Sequence, residues 1–346
     1  LELKVLNKTI QVQKKSYNRT IKRIIIFVAS SVFLSFIILL SLRFGSVRFS
    51  TSEIINSISN KQVSAGRNII VNIRIPRTLL CIMVGANLAV SGALLQAVMR
   101  NPLADPGLTG VSTGAGLAAV AIMLAFPSMA GFLPFVAFLG GAAASIMVFT
   151  LAWKSGIDPI RIILAGVAVN AILGGGISLL TVLYSDRIQG ALMWLNGSIS
   201  GKGWNNVSIL APYSVVGLLS GLFCIKTANI LQLGEDVAKN LGLNVNNSRL
   251  ILSIIAAFLA GISVSTVGLI GFIGLIIPHI SRLLVGSDYR FMLPLSAILG
   301  SMILLFADIL SRTLFSPVEL PVGIIMAIFG GPFFLYHLRK RGAYKI

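Results

Sequence analysis

The run Gly197-Ser-Ile-Ser-Gly201-Lys202-Gly203 comes nearest to nucleotide chemistry in this chain. A phosphate loop needs four residues between its glycines and a Ser or Thr after the lysine to hold magnesium. This run has three between the glycines, and Gly203 stands where the hydroxyl belongs. The chain is therefore not expected to hydrolyse ATP itself. His279 and His337 have no Cys, Asp or Glu set at ligand spacing, so a structural role is expected for each. Cys81 opens one apolar run and Cys224 closes another, which puts them near opposite membrane faces, about 30 Å apart and too far to bridge. Asp308 is the one carboxylate well inside an apolar run, with Arg312 four residues later in the order that favours a helical pair. No catalytic set, cofactor motif, proton relay or channel filter is legible.

What remains is Leu231 to Val245, LQLGEDVAKNLGLNV, a polar stretch between long apolar runs. Gly234 opens it, and Glu235 and Asp236 follow where a helix N-terminus is positive. Val237 and Leu241 share a face, Ala238 lies between them, and Gly242 supplies a left-handed stop. A small amphipathic helix at a membrane surface suits a groove on another protein; an ordinary interfacial loop helix is the plainer alternative.

The elements that must position these residues follow from composition. The 346 residues are 56% hydrophobic and only 11% charged, against about 25% charged in soluble domains. The fold class is all-α, a polytopic membrane protein. Apolar runs near the ~20 residues that cross a bilayer give about ten spans, near 24–42, 78–99, 107–126, 130–153, 160–184, 207–225, 250–270, 271–284, 292–313 and 322–338. One membrane domain covers 24–340, after a basic tail at 1–23 and before a short tail at 341–346.

The net charge of +18 reports membrane orientation rather than nucleic-acid binding, because the basic residues flank spans instead of interleaving with aromatics. Lys4, Lys8, Lys14, Lys15, Arg19, Lys22 and Arg23 precede the first span, and Arg339, Lys340, Arg341 and Lys345 follow the last. Both termini are expected in the cytoplasm, with Ile24–Leu42 kept as a first helix. One loop resists: Arg43, Arg48, Lys61, Arg67, Arg74 and Arg77 face outward against Glu53 alone.

Leu250 to Ile280 carries no full charge over 31 residues, about 46 Å as one helix. A full helix, a break among Gly268, Gly271 and Gly274, and a short helix with Pro278 and His279 near its end are expected. Gly110-xxx-Gly114 and Gly217-xxx-Gly221 have helix-packing spacing. Gly174, Gly175 and Gly176, following Asn170 in the fifth span, point to a bend, a pore wall clear of side chains, or tight packing.

The segment RIPRTLLCIMVGANLAVSGALLQAVMRNPLADPGLTGVSTGAG (74–116) resembles the hallmark region of permeases that import ferric siderophores and cobalamin. So do GLIGFIGLIIPHISRLLVGSDYRFMLPLSAILGS (268–301) and ADILSRTLFSPVELPVGIIMAIFGGPFFLYHLRK (307–340). The resemblance implies a ten-span permease of the type II ABC importer fold, paired with a second permease subunit, identical or sibling. It implies two cytoplasmic ABC ATPase subunits and an extracytoplasmic binding protein. Coupling helices fall at about 228–243, with Gly234, Glu235, Asp236, Ala238, Leu241 and Gly242 matching the ATPase-coupling motif. Arg74, Arg77 and Arg312 occupy the family's docking positions for the binding protein; snorkelling anchors or an Arg312–Asp308 pair are the structural alternatives. Asn170, Gly174, Gly175 and Gly176 are candidates for the translocation wall.

The function expected is ATP-driven import of an iron–siderophore chelate across the cytoplasmic membrane by alternating access. Haem or cobalamin is the alternative cargo. An ion-coupled secondary carrier and a scaffold without transport are the alternatives of another class. No cofactor and no resident metal are expected, and lipid is a partner throughout.

Overall fold

In lipid an uncharged run can satisfy its peptide groups only as helix, and helix is what these runs form. The computed structural model describes residues 2–45, 47–59, 65–154 and 156–341; side chains of 2–18, 337, 338, 340 and 341 lie outside the described part, as do Lys61 and the tail 342–346. In chain order the helices are α1 Glu2–Arg43, α2 Thr51–Ser59, α3 Ala65–Asn68, α4 Ile75–Met99, α5 Val111–Ala125, α6 Leu133–Ala152, α7 Pro159–Leu183 and α8 Ile188–Leu195. There follow α9 Trp204–Phe223, α10 Ile225–Leu231, α11 Glu235–Asn240, α12 Val245–Val267, α13 Ile273–Val285, α14 Tyr289–Thr313 and α15 Val322–Arg341.

Seven helical segments are long and apolar enough to cross a membrane, and 111–125, 273–285 and 322–336 are shorter apolar helices. Together they match the ten expected spans. The start of the chain differs: α1 runs unbroken from Glu2, so the basic stretch before Ile24 continues the first span as helix. The second span also starts earlier, where a π-helical turn Ile69–Arg74 leads into α4.

Scarce acids start several helices at the end of the bundle that bears α10 and α11. Asp158 accepts from Ile160 N at 2.9 Å to start α7, and Asp288 accepts from Arg290 N at 3.0 Å to start α14. Asn244 does the same for α12, accepting from Asn247 N at 3.1 Å. Each fills an orphan donor that lipid or a dry interior could not.

The break expected after the seventh span lies at 268–272. Gly268 has φ +82° and Phe272 φ +70°, conformations that end α12 and turn the chain into α13. The loop after α8 braces it: Ser198 N donates to Val267 O at 2.8 Å, and Gly323 N at the start of α15 donates to Gly197 O at 3.2 Å. The glycine–lysine run 197–203 is thus a structural turn. Pro278 and His279 sit mid-way along α13 rather than near its end, because the helix continues to Val285.

Helix α4 is the axis of the bundle, buried along almost its whole length. Glycine permits its closest contacts: a Cβ on Gly85 would run into the backbone of Gly300 in α14, and one on Gly92 into the backbone of Gly274 in α13. Gly114 meets Gly140 of α6, while Gly217 meets Leu259 of α12 and Gly221 meets Val90 of α4. The small-residue spacing therefore does serve packing, which lipid cannot drive by hydrophobicity. The run at 174–176 differs: α7 passes through it as continuous helix without a break, and a Cβ on Gly174 or Gly175 would meet nothing within 4 Å. Both cysteines are free.

Gly85→Ala should lower stability by about 1–3 kcal/mol through overpacking against α14. Gly175→Ala should leave it equal or slightly higher, since alanine favours helix. Thermal melting of the purified subunit in detergent checks both, and equal losses would contradict the packing described.

Candidate functional site

The segment from Cys224 to Val245 folds as two short helices, α10 and α11, joined at Gly234, whose φ of +111° suits glycine. Glu235 accepts from Lys239 at 2.9 Å and pairs with Arg249 of α12 at 3.1 Å. Arg249 is buried and also donates to Ile157 O at 2.8 Å, so one carboxylate ties α11 through α12 to the loop before α7. The Lys239 hydrogen bond, helped by the Arg249 charge, holds the Glu235 carboxyl below its ordinary value. The tie is therefore whole at neutral pH and is lost as acidification passes through that lowered value.

Ala238 is fully buried beneath α11. Gly242, at φ +78°, ends the helix, and Leu243 N reaches back to Ala238 O at 3.0 Å. The outer side of the segment is apolar. Leu233, Val237 and Leu241, spaced by four, are 58%, 46% and 60% exposed, beside the exposed Asp236. Six residues were expected to form this site, and they divide by role. Gly234 and Gly242 shape the helix, Glu235 and Ala238 fix it to the bundle, and Asp236 and Leu241 face outward. Leu233 belongs to the same row and was missed, because it precedes the helix start; the i, i+4, i+8 spacing could have found it.

At the opposite end of the bundle the arginines expected to face outward do not. Arg74, Arg77 and Arg312 are 4%, 6% and 4% exposed. Arg74 donates to Leu42 O at 2.5 Å, to Arg43 O at 3.0 Å and to Val47 O, and its guanidinium lies 4.8 Å from the Phe49 ring centre. Arg77 grips the fully buried Asp308 at 2.9 Å and Glu319 at 2.8 Å. Arg312 donates to Ser41 O and Oγ at 2.9 and 2.7 Å and faces Asp308 at 3.4 Å. The helical pair expected between Asp308 and Arg312 is present, but Arg77 is the closer partner. Two guanidiniums and two carboxylates form a neutral quartet that joins α1, α4, α14 and the turn before α15. The physical reason for the correction is desolvation: a charge this buried is tolerable only when paired. Among the described arginines of this end, Arg43, Arg48 and Arg187 are the exposed ones.

Helix α7 lies at the margin, with only 17% of its apolar window buried. Asn170 Nδ2 donates to Gly107 O at 3.0 Å and fastens α7 to the turn before α5, while its Oδ1 has no partner. Gly174 and Gly175 leave that helix without side-chain cover. Among the described residues, several cavities are apolar troughs facing outward between helices. One of about 720 Å³ lies between α6 and α12, with Phe138, Phe149 and Trp153 on one wall and Ile254 and Phe258 on the other.

Arg77→Met should destabilise the subunit by about 3–5 kcal/mol, because Asp308 and Glu319 lose their shared partner. Arg43→Gln, at an exposed site, should change stability by less than about 0.5 kcal/mol. Thermal melting separates the two, and an unperturbed Arg77 variant would refute the quartet.

Residues 33–340 match the family model described as the FecCD transport family. The Fe(3+)-citrate import system permease protein YfmE of Bacillus subtilis is 38% identical over 94% of this chain and 98% of its own length. The hemin transport system permease protein HmuU of Yersinia pestis is 39% identical over 87% of this chain and 91% of its own. A solved inward-facing conformation of a metal-chelate type ABC transporter superposes with a TM-score of 0.81 at 30% identity, covering 91% of this chain and 99% of that one. With the all-helical bundle and its glycine-packed axis, these similarities settle the family: this chain belongs to the FecCD transport family of ABC importer permeases.

Proposed function

We propose that the chain carries a ferric chelate inward across the cytoplasmic membrane by alternating access, driven by separate ATPase subunits. The observation that carries this reading is the apolar row Leu233, Val237 and Leu241 on an otherwise polar segment, exposed at one end of the bundle. A row of this kind, flanked by Asp236, suits a groove on a partner. Two ATPase subunits at that end would grip one such row from each of two permease copies. Both chain termini then lie on the cytoplasmic side, with the basic residues before the first span.

The uncovered stretch of α7 at Gly174 and Gly175, one turn after Asn170, would meet the pathway once a second subunit is in place, while Gly176 packs against Leu117 of α5. A wall of backbone and glycine offers a bulky chelate few strong bonds, which favours release over trapping. A binding protein would dock at the opposite end, where Arg43 and Arg48 are exposed and can pair with carboxylates. The ferric chelate is favoured over haem by the similarity to YfmE, which extends over more of both chains.

The test is uptake by vesicles holding the permease with its ATPase subunits and binding protein, offered labelled ferric citrate, haem or cobalamin. ATP-dependent accumulation of the ferric chelate is expected, unaffected by a protonophore. Accumulation that collapses with the protonophore while ATP remains would overturn the reading. Leu241→Asp should cut ATP-driven uptake about tenfold or more by placing a charge in the gripped row, with unchanged melting of the subunit. Glu235→Lys is a poorer probe, because Glu235 also satisfies the buried Arg249.

A further inference from the structure

The coupling segment touches the bundle through a second contact that the exposed row does not include. Asn229 of α10 uses both ends of its amide on the start of α14. Its Nδ2 donates to Asp288 Oδ1 at 3.0 Å, and its Oδ1 accepts from Tyr289 N at 2.9 Å. These residues are 59 and 60 positions apart in sequence, so the contact serves the tertiary fold and not a local turn. Asp288 is the same residue that caps α14 through Arg290 N. Anything that shifts α10 therefore pulls directly on the first turn of a span.

The next residue carries the connection inward. Tyr289 is fully buried, and its hydroxyl donates to Ala93 O of α4 at 2.8 Å. Gln232, just after α10, and Arg282 of α13 lie near the same hydroxyl. Arg282 in turn donates to Gln96 of α4 at 3.1 Å, and Gln96 reaches Leu275 O at 3.3 Å in the first turn of α13. That turn follows the break at 268–272, and Phe272 packs against Gly330 of α15. Polar contacts thus step from α10 through α14 and α4 to the broken span, through side chains that are buried or half-buried.

We propose that Asn229 is a positioning residue for transport: its paired bonds to Asp288 and Tyr289 are the joint through which the ATPase-driven movement of α10–α11 reaches α14 and the half-span α13. The proposal rests on the ATP-driven reading above. Asn229 is half-buried and lies outside the exposed row, and Tyr289 is fully buried, so the joint would govern how much transport each hydrolysis yields rather than whether the parts bind. A contiguous contact path is only a candidate for coupling until it is cut and rejoined, and the chemistry of this pair permits both.

Asn229→Asp sets a carboxylate against Asp288, which the Arg290 hydrogen bonds hold ionised with a pKa of about 2. The joint should open by repulsion. Adding Asp288→Asn removes the repulsion: in the wild type one oxygen, Asp288 Oδ1, both accepts from Asn229 and caps Arg290 N, so the new amide at 288 turns until its nitrogen donates to the carboxylate at 229 and its oxygen keeps the cap, Asn and Asp capping equally well. The exposed Arg290 pair lost in the exchange is worth little. In vesicles containing permease, ATPase subunits and binding protein, uptake per ATP hydrolysed is measured for wild type, Asn229→Asp and the exchanged pair. The expected result is that the single variant still co-purifies with the ATPase and hydrolyses ATP, while uptake per ATP falls about tenfold, the scale of a coupling between sites. The exchanged pair should return to within about twofold of wild type, the cycle isolating the pairwise contact. An unchanged ratio in the single variant, a loss the exchange does not repair, or a loss explained by failure to assemble would each overturn the joint. A wild-type complex that hydrolyses no ATP during uptake would instead sink the ATP-driven reading, a result separable from the others.

Discussion

Hydrocarbon gives a peptide group or a charge nothing to bond, and that constraint organises the whole chain. Its first consequence is the helical class; its second is the position of α4. A helix at the axis of a bundle, cut off from both water and lipid, needs neighbours close enough to fill every gap. Gly85 against Gly300 and Gly92 against Gly274 bring backbones together where larger residues would hold them apart. The same economy governs polar atoms. Ser91 Oγ donates to Ala256 O at 2.6 Å and Asn87 Nδ2 to Ser214 Oγ at 2.8 Å, so the axis is fastened to α12 and α9 by bonds the lipid could not replace.

Much of this was legible from residue order. Hydropathy found all ten apolar segments, and charge-free length required a break, which the glycines placed among Gly268, Gly271 and Gly274. The shape of the 231–245 segment was also legible, because a glycine, two acids, an apolar pair and a closing glycine leave few other conformations. Three things were not. A basic residue before a span reads as a loop, yet α1 begins at Glu2, since lysine is a good helix former and nothing in that stretch stops a helix. Three glycines in a row read as a weak point, yet α7 carries them unbroken, because a helix already nucleated on both sides propagates through. Burial of the outer arginines was hidden because their partners, Asp308, Glu319 and the carbonyls near Leu42, are remote in sequence.

Those arginines also account for part of the charge excess that strained the orientation rule. Counted along the chain, the first outer loop carries six basic residues. In the fold, Arg74 is spent on carbonyl groups, and Arg77 and Arg312 are neutralised inside the protein by Asp308 and Glu319. A charge already paired in the protein interior contributes little to the field that a membrane senses during insertion. The rule concerns unpaired cations near the span ends, and by that measure Arg77 drops out of the count, while Arg74, bonded to carbonyls, keeps its charge.

The two ends of α14 are held by different means, and the difference bears on how the span can move. Its C-terminal end sits in the quartet with Arg77, where Asp308 is fully buried and any shift would separate desolvated charges. Its N-terminal end is held by Asn229 and the cap at Asp288, half-buried hydrogen bonds near water, and by the buried Tyr289 hydroxyl on Ala93 O. Breaking the first costs several kcal/mol; exchanging the second for water costs about 1 kcal/mol per bond. A helix of 25 residues, about 37 Å long, clamped hard at one end and softly at the other, swings more readily than it slides. On the proposed ATP-driven reading, force entering at α10 would then tilt α14 about the quartet.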